Sequence, residues 1–316
     1  MNTIDNYLVK NPVVLFGYNK PDTSRQVLRQ IKKVSPKKIY LVLDGPKSER
    51  ENTKCIEVKK IFDEVNIDAE INKIYSETNL GLKKRWKSAL NEIFLKEESA
   101  IILEDDTLPS ISFFRYCDDL LEKYKNDKQI AQINGYNYFS KVSIKEDYYF
   151  TTYPELWGWA TWEDRWKQYY NDDLENEWDK IKNTKSFYNS FFSKEEFEYF
   201  YIMYENAVNN VVDSWDFKWT YSLRKNNLLS IAPCKNLVKN LGFGHDGATH
   251  THQKHKYLSV TRNKQYNIQF PLKHPDKINK NLQMIENDFN KRLLKNSKLS
   301  KIIYRLNKLK KIFKLQ

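Results

Sequence analysis

Cysteine is scarce in this sequence, and long apolar runs are absent from it. The three cysteines, Cys55, Cys117 and Cys234, are isolated and form no C-x-x-C pair. This usage indicates a reducing cytosol and argues against a disulfide framework or a zinc site. No stretch approaches the ~18 apolar residues of a membrane span, and the first residues lack a signal-peptide pattern. We therefore expect a cytoplasmic protein.

A basic surplus is also absent from most of the chain. The formal net charge is +12, but the last 26 residues hold ten Lys or Arg and no acid. The remainder contains 43 basic and 41 acidic residues. A basic groove for nucleic acid is therefore not indicated, and we expect no nucleic-acid partner. The positive charge belongs to a C-terminal appendage.

The first half alternates between short apolar runs and amphipathic helical patterns. Strand patterns occupy residues 12–18, 38–45, 68–76, 99–106 and 130–137, and helical patterns occupy 20–34, 48–65, 82–97 and 112–127. Apolar strands joined by helices predict an α/β fold with a mostly parallel sheet covered on both faces. Ligands of such sheets bind beyond the carboxyl ends of the strands.

Polar residues stand at those strand ends. Asn19, Asp44, Asp105 and Asp106 lie at the carboxyl ends of three of the predicted strands, and Glu104 directly precedes Asp105. Carboxylates at this position suit a hard divalent cation such as Mg²⁺ or Mn²⁺, which completes its shell with phosphate oxygens. Such a cation neutralises charge on a departing diphosphate. A solvated acidic turn or a helix N-cap is the alternative interpretation.

Several segments, in order, resemble a known family. They are "PVVLFGYNKPDTSRQVLRQI", "LVLDGPK", "NLGLKKRWKSALNEIF" and "IILEDDTLPSISFFRYCDDLLEKYKND", followed by "ELWGWATWEDRW", "SWDFKW" and "NLGFGHDGATHT". This set resembles GT-A glycosyltransferases of bacterial polysaccharide clusters. It is also similar to the eukaryotic N-acetylglucosaminyltransferase that initiates complex N-glycans. The resemblance covers roughly residues 12–252.

The resemblance, together with the absence of a Gly/Ser- or Pro-rich linker between the halves, implies an organisation for the whole chain. A GT-A catalytic domain would span residues 1–275, with a donor half at about 10–140 and an acceptor half at about 141–275. Residues 276–316 would form a helical tail. Asp106 would be the main metal ligand, Asp105 would approach the ribose or the metal, and Glu104 would join the donor-binding residues.

Further donor contacts are implied in the first half. Asp44 would bind the nucleobase, with Asn19 and Lys20 near the base or the diphosphate. A carboxylate accepts the imide N–H of uracil and a lysine suits a diphosphate, so a UDP-sugar is the favoured donor. A structural role as a turn residue of "DGPK" explains Asp44 equally well.

The segment "NLGLKKRWKSAL" resembles the loop and helix start beneath the donor. Asn79 and Gly81 are turn residues, and the N–H groups of a helix start attract anions. Lys83, Lys84 and Arg85 add positive charge. A solvated helix face explains two of these three cations, and we select Lys84 as the donor contact.

The segment "ELWGWATW" resembles the floor beside the donor sugar. Sugars stack their C–H faces on indole, and glycine permits close backbone approach. Trp157, Gly158 and Trp159 are therefore candidate donor contacts. An apolar core is the alternative explanation for this aromatic cluster.

The segment "VVDSWDFKW" supplies the candidate catalytic base. A carboxylate beside the acceptor hydroxyl can take its proton during attack. The resemblance places this role on Asp216 and implies an inverting reaction. Asp213 and Glu155 are the rival bases, and a helix N-cap is the structural alternative for Asp216.

Four of the five histidines, His245, His250, His252 and His255, fall within eleven residues. No cysteine or clustered acid accompanies them, which argues against a closed zinc site. The resemblance favours His250 as a ligand of the metal or the diphosphate. We expect His252 and His255 at the surface.

The C-terminal appendage has an amphipathic helical pattern. Its apolar residues recur at i, i+3, i+4 and i+7, and they are Leu299, Ile302, Ile303, Leu306, Leu309, Ile312 and Phe313. With Lys and Arg between them, they suit the surface of an anionic membrane, beside a lipid-linked acceptor. Packing on the body or on a second subunit is the alternative.

The residues and the resemblance together favour a metal-dependent glycosyltransferase that acts on a cell-surface glycan, and the resemblance implies that it inverts. A sugar nucleotidyltransferase is the enzymatic alternative, but "FGYNKPDTSR" lacks the Gly-rich, Arg-containing loop that this class needs. A non-catalytic glycan- or membrane-binding protein of the same fold is the second alternative.

Overall fold

The computed structural model describes residues 7–170, 174–209, 211, 215–242 and 264–293. The strands within these residues are β1 Val13–Gly17, β2 Lys38–Leu43, β3 Glu70–Tyr75, β4 Ser99–Glu104, β5 Thr107–Pro109, β6 Ile130–Asn134, β7 Tyr148–Thr151, β8 Trp159–Trp162, β9 Leu229–Pro233 and β10 Val238–Asn240. The helices are α1 Pro21–Lys33, α2 Glu49–Asp63, α3 Leu82–Ile93, α4 Ile111–Lys123, α5 Glu163–Tyr169, α6 Leu174–Ile181, α7 Lys185–Asn189, α8 Lys194–Val208, α9 Asp216–Lys225 and α10 Leu282–Asp288, followed by a π-helical turn at Phe289–Leu293.

An eight-stranded sheet with the order β3-β2-β1-β4-β8-β6-β9-β7 forms the centre of the molecule. Strands β3, β2, β1 and β4 pair in parallel, as do β6 and β9. Strand β8 runs antiparallel between β4 and β6, and β7 is antiparallel to β9. The predicted α/β fold, with a mostly parallel central sheet and helices on both faces, is confirmed.

Each face of the sheet is covered by helices because the strand residues are apolar on both sides. In β1, Val13 and Leu15 pack with residues of α1, α2 and α4, whereas Val14 and Phe16 pack with residues of α3, α5 and α9. Alternate residues of a strand point to opposite faces, which explains this division. The two layers bury the sheet on both sides, as continuous apolar strands predict.

The aromatic second half contributes to the same sheet. Strand β8 is formed by "WATW" and is buried between β4 and β6. Helices α6–α9 enclose a separate aromatic cluster that includes Trp178, Phe187, Tyr204 and Tyr221. The predicted donor and acceptor halves thus share one continuous sheet.

Part of the predicted tail packs on the body. The backbone N–H of Asn281 donates to the carbonyl of Phe150 at 2.8 Å. Met284, Ile285 and Phe289 are buried against aromatic residues of the body. Residues 294–316, which carry the amphipathic pattern, lie outside the described residues. In the portion that is described, no helix has the length and apolar character needed to cross a membrane.

Candidate functional site

The carboxyl ends of the parallel strands define one rim of the sheet. β1 pairs in parallel with β2 and with β4, so these three strands end side by side. Asn19 follows β1, Asp44 follows β2, and Asp105 and Asp106 follow β4. In sheets of this kind, this rim is where ligands bind.

The strongest charge contrast at this rim joins Lys20 to the acids after β4. The Lys20 ammonium group lies 2.6 Å from Oδ2 of Asp106 and 3.7 Å from Oδ1 of Asp105. Asp105 also accepts a 3.0 Å hydrogen bond from the backbone N–H of Tyr18. Regular strand alternation would send the two aspartates to opposite faces. Because β4 ends at Glu104, both carboxylates reach the same ammonium group.

Burial and mutual repulsion change the proton affinity of these groups. Burial, followed by the charge of Asp106, raises the pKa of Glu104 to about 8. Burial also raises the pKa of Asp105 to about 6, although Lys20 opposes this increase. Burial disfavours the charged form of Lys20, but the surrounding carboxylates outweigh it and raise the pKa of the amine. At neutral pH the cluster therefore holds a proton on Glu104 and a full charge on Lys20.

The backbone after β10 passes directly over Asp106. Strand β10 pairs with β5, and the N–H of Leu241 donates to the backbone carbonyl of Asp106 at 2.7 Å. A Cβ built on Gly242 would lie 2.3 Å from Oδ2 of Asp106. Only glycine fits this approach without displacing the carboxylate. The chain thus passes beside Asp106 before residues 243–263, which lie outside the described residues and include His245, His250, His252 and His255.

Asp44 organises the loop before α3. Its Oδ1 accepts the backbone N–H groups of Gly45 and Leu80 at 3.0 and 2.9 Å. Its Oδ2 accepts the N–H of Gly81 at 3.0 Å and the side-chain amide of Asn79 at 3.3 Å. Asp44 is therefore the anion that meets the N–H groups of the loop before α3. Its role with a nucleobase stays a prediction.

Two neighbours on α3 differ in exposure. Lys84, the selected donor contact, is exposed, whereas Arg85 is only 7% exposed. In the described part of the chain, Nε of Arg85 makes no hydrogen bond. Burial lowers the pKa of Arg85, and the charge of Asp44 partly opposes this effect. The sequence does not single out Arg85, because three consecutive cations do not show which of them turns inward.

Asn19 lies in a polar network beside Lys20. Its amide donates to Oε1 of Glu51 at 3.0 Å, and the Tyr18 hydroxyl donates to Oε2 of the same residue at 2.8 Å. The N–H of Lys47 donates to the Tyr18 hydroxyl at 2.9 Å. Tyr18 and Glu51, which the sequence analysis did not select, thus join β1, α2 and the loop after β2.

An aromatic stack brings Asp216 to the same rim. Phe16 stacks on Trp86 with ring centroids 3.8 Å apart, and Trp86 stacks on Trp215 at 4.4 Å. Phe16 of β1 lies beside Glu104 on the neighbouring strand β4, and Asp216 directly follows Trp215. The charge of Asp216 contributes to the raised pKa of Glu104, so the two carboxyl groups share one electrostatic environment.

Asp216 is also the first residue of α9. Its Oδ1 accepts the backbone N–H of Phe217 at 2.9 Å, which satisfies one N–H of the helix start. Its side chain keeps partial exposure, as a proton acceptor requires. Of the rival bases, Glu155 lies in the segment that connects β7 to β8 and is half-buried, and Asp213 lies outside the described residues.

The three candidates in "ELWGWATW" occupy different environments. Trp157 is half-buried, and its ring contacts Tyr136 edge-on at 4.7 Å. Gly158 has φ +66°, and a Cβ there would lie 2.8 Å from Val238. Trp159 is fully buried among the aromatic residues of α3, α5 and α9. Its indole therefore presents no face to a sugar in this structure, which favours the core explanation for this residue.

The acids after β4 fit a hard divalent cation. Mg²⁺ and Mn²⁺ take one or two carboxylates and complete their shells with phosphate oxygens and water. Asp105 and Asp106 supply such oxygens, and the ammonium group of Lys20 shows that they accommodate a positive group. Among the described residues, no group of three His, Cys, Asp or Glu side chains is arranged to hold a metal. The predicted third ligand, His250, lies outside them.

Two cavities lie elsewhere in the fold. One of about 260 Å³ is lined by residues that include Thr152, Arg224 and Lys280, at the amino end of β9. The other, of about 360 Å³, is lined by residues that include Lys182 and Tyr188 in the helical layer. The acidic cluster lines neither of them. We place the candidate site at the rim because the charges converge there.

Comparison with known proteins yields likenesses among solved structures. No protein-family model matches the chain, and no curated protein matches its sequence. The chain is similar to the crystal structure of the galactosyltransferase LgtC in complex with donor and acceptor sugar analogues. Their identity is 11% and the TM-score is 0.33, with 80% of this chain and 96% of that chain covered. At that level the comparison assigns no role to any residue, and it shows no specific likeness to an N-acetylglucosaminyltransferase.

Proposed function

We propose that this chain is a metal-dependent, inverting glycosyltransferase. It transfers a hexosyl or N-acetylhexosaminyl group from a nucleoside diphosphate sugar, preferably a UDP-sugar, to a hydroxyl of a cell-surface glycan or lipid-linked acceptor. One observation carries the proposal. Asp105 and Asp106 pair with Lys20 at the carboxyl rim of the sheet, and the adjacent Glu104 lies within the electrostatic reach of Lys20 and Asp216.

In the proposed donor site, Asp105 and Asp106 would hold Mg²⁺ or Mn²⁺, and His250 is the candidate third ligand. The bound cation would supply charge neutralisation for the departing diphosphate. Lys20 and Arg85 add positive charge on the side of β1 and α3. Asn19, Asp44 and Asn79 border the nucleoside, and Trp157 and Gly158 border the sugar.

Asp216 is proposed as the base. The acceptor oxygen attacks the anomeric carbon while the bond from that carbon to the diphosphate oxygen breaks. The proton of the acceptor hydroxyl passes to the Asp216 carboxylate. Attack on the face opposite the leaving group inverts the anomeric configuration.

The test is turnover of a panel of nucleotide sugars by the purified chain, with and without Mn²⁺. We expect Mn²⁺-dependent hydrolysis of at least one sugar, and its loss in Asp106→Asn with the fold intact. Asp179→Asn is the matched control, because that carboxylate is 76% exposed on α6. Equal turnover by wild type and Asp106→Asn would contradict the metal assignment. Formation of a nucleotide sugar from sugar phosphate and nucleoside triphosphate would identify a nucleotidyltransferase instead.

We also propose that the protein is cytoplasmic and peripheral on the membrane, through residues 294–316. A basic amphipathic segment binds anionic lipid by burying apolar residues and attracting headgroups. Truncation after residue 293 is expected to abolish sedimentation with anionic liposomes while leaving neutral liposomes unbound by either form. Equal sedimentation of the two forms with anionic liposomes would reject the proposal.

A further inference from the structure

The position of Lys20 is unusual for a residue that is expected to bind a diphosphate. Its ammonium group lies between the two carboxylates assigned to the metal, 2.6 Å from Asp106 and 3.7 Å from Asp105. Its side chain is only 23% exposed. Lys20 therefore supplies the positive charge that these two carboxylates face.

The acids require a cation there for an electrostatic reason. Neighbouring carboxylates with little contact with water repel each other, and leaving them unpaired is costly. A divalent ion on the same oxygens would stand within a few ångströms of the ammonium group and would repel it. The ammonium group and the ion therefore exclude each other.

The backbone at Lys20 is fixed by hydrogen bonds, whereas a lysine side chain has several rotatable bonds. The carbonyl of Lys20 accepts the backbone N–H of Ser24 at 3.0 Å and its hydroxyl at 2.7 Å. Pro21 then begins α1. The four-carbon stem of lysine allows the ammonium group to move without a change of backbone. An exchange at the acids thus needs only side-chain rotation.

We propose that Lys20 is an exchangeable counter-ion of the metal site. In the metal-free protein it neutralises Asp105 and Asp106. When the divalent ion binds, the ammonium group leaves the carboxylates and contacts the diphosphate of the donor. This inference rests on the proposed function and adds that metal affinity is set by competition with Lys20.

The test measures Mn²⁺ binding in the absence of donor. The electron paramagnetic resonance signal of free Mn²⁺ reports how much of the ion remains unbound. Lys20→Met removes the competitor, so we expect the dissociation constant to fall by about fivefold or more. Lys20→Arg retains charge in a bidentate group that pairs more strongly with carboxylates, so its dissociation constant should rise. Lys47→Met, an exposed lysine near the same rim, controls for general charge and should leave the constant within about twofold.

A second measurement, of UDP binding by Lys20→Met, should change in the opposite direction to Mn²⁺ binding. With saturating Mn²⁺, UDP should bind Lys20→Met more weakly by about tenfold, because a charge-assisted contact to the diphosphate is lost. Unchanged or weaker Mn²⁺ binding by Lys20→Met would overturn the exchange. Unaltered UDP binding would overturn the contact with the diphosphate. Failure of the wild type and both Lys20 variants to bind Mn²⁺ would instead reject the metal site of the proposed function, and the exchange with it.

Discussion

Gly242 lies so close to Asp106 that a Cβ on the glycine would come within 2.3 Å of Oδ2 of the carboxylate. The neighbouring N–H of Leu241 donates to the backbone carbonyl of Asp106. The backbone after β10 is thus fixed to the residue that we propose as the main metal ligand. A change on one side of this contact must displace the other.

Gly242→Ala should therefore weaken the site without unfolding the protein. The added methyl group forces the carboxylate or the backbone to move, at a cost of about 1–3 kcal/mol for such overpacking. We expect the dissociation constant for Mn²⁺ to rise by about tenfold, the factor that 1.4 kcal/mol represents. Lys239→Ala, at an exposed position of β10, should leave it unchanged. Wild-type Mn²⁺ affinity in Gly242→Ala would show that Oδ2 of Asp106 does not bind the ion.

Asp216→Asn should separate catalysis from binding. The asparagine oxygen can still accept the N–H of Phe217, so α9 should keep its start. Loss of the base should lower the rate of transfer by about 100-fold or more, with little change in donor affinity. Single-turnover transfer and calorimetric UDP titration measure the two effects. Transfer within about twofold of wild type would exclude Asp216 and direct attention to Glu155 or Asp213.

Arg85→Met should have opposite effects on stability and on donor binding. Removal of a buried, incompletely bonded guanidinium should increase the free energy of unfolding by about 1 kcal/mol. Loss of its charge should weaken UDP binding by about tenfold. Lys84→Met, which changes an exposed neighbour, should alter neither quantity if Arg85 is the inward-facing cation. Destabilisation by Arg85→Met, with unchanged UDP affinity, would assign Arg85 a structural role.

The raised pKa of Glu104 predicts a pH-dependent stability in the absence of metal. The folded protein holds this proton up to pH about 8, whereas the unfolded chain releases it above the ordinary value of 4.5. The contribution of Glu104 is therefore present in full below pH 4.5 and is lost as pH rises through about 8. Asp105, with its pKa raised to about 6, acts in the same direction over a lower range.

Denaturant unfolding across this interval measures the effect. The free energy of unfolding should decrease between about pH 5 and 8, and Glu104→Gln should reduce that decrease by an amount on the order of 1 kcal/mol. Glu98→Gln is the control, since burial affects that carboxylate little and its ion pair with Lys125 is exposed. An identical pH dependence for wild type and Glu104→Gln would show that Glu104 titrates normally.

The first half of the fold was predictable because its signals are local. Apolar runs of strand length alternate with amphipathic helices, and β1 to β4 lie within the first four strands predicted along the chain. The position of β8 was not predictable in this way. The run "WATW" has no helical or alternating pattern, and only its hydrogen bonds to β4 and β6 make it an antiparallel central strand.

The site shows the same division between local and long-range information. A parallel sheet brings strand ends together, so the grouping of Asp44, Asp105 and Asp106 at one rim follows from the pattern. The environments of Arg85 and Trp159 do not. The burial of Trp159 depends on packing between β8, α3 and α9, which are far apart in the sequence. The burial of Arg85 is not visible in its local pattern, in which three cations are adjacent.

Calorimetric titration of UDP into the purified chain tests the central claim, that a cation at Asp106 binds the pyrophosphate. With Mn²⁺ present, we expect wild type to bind UDP at least about tenfold more tightly than without it. Asp106→Asn should show no gain from Mn²⁺, and Asp179→Asn should behave as wild type. Equal UDP affinity with and without Mn²⁺, or an undiminished gain in Asp106→Asn, would contradict the claim.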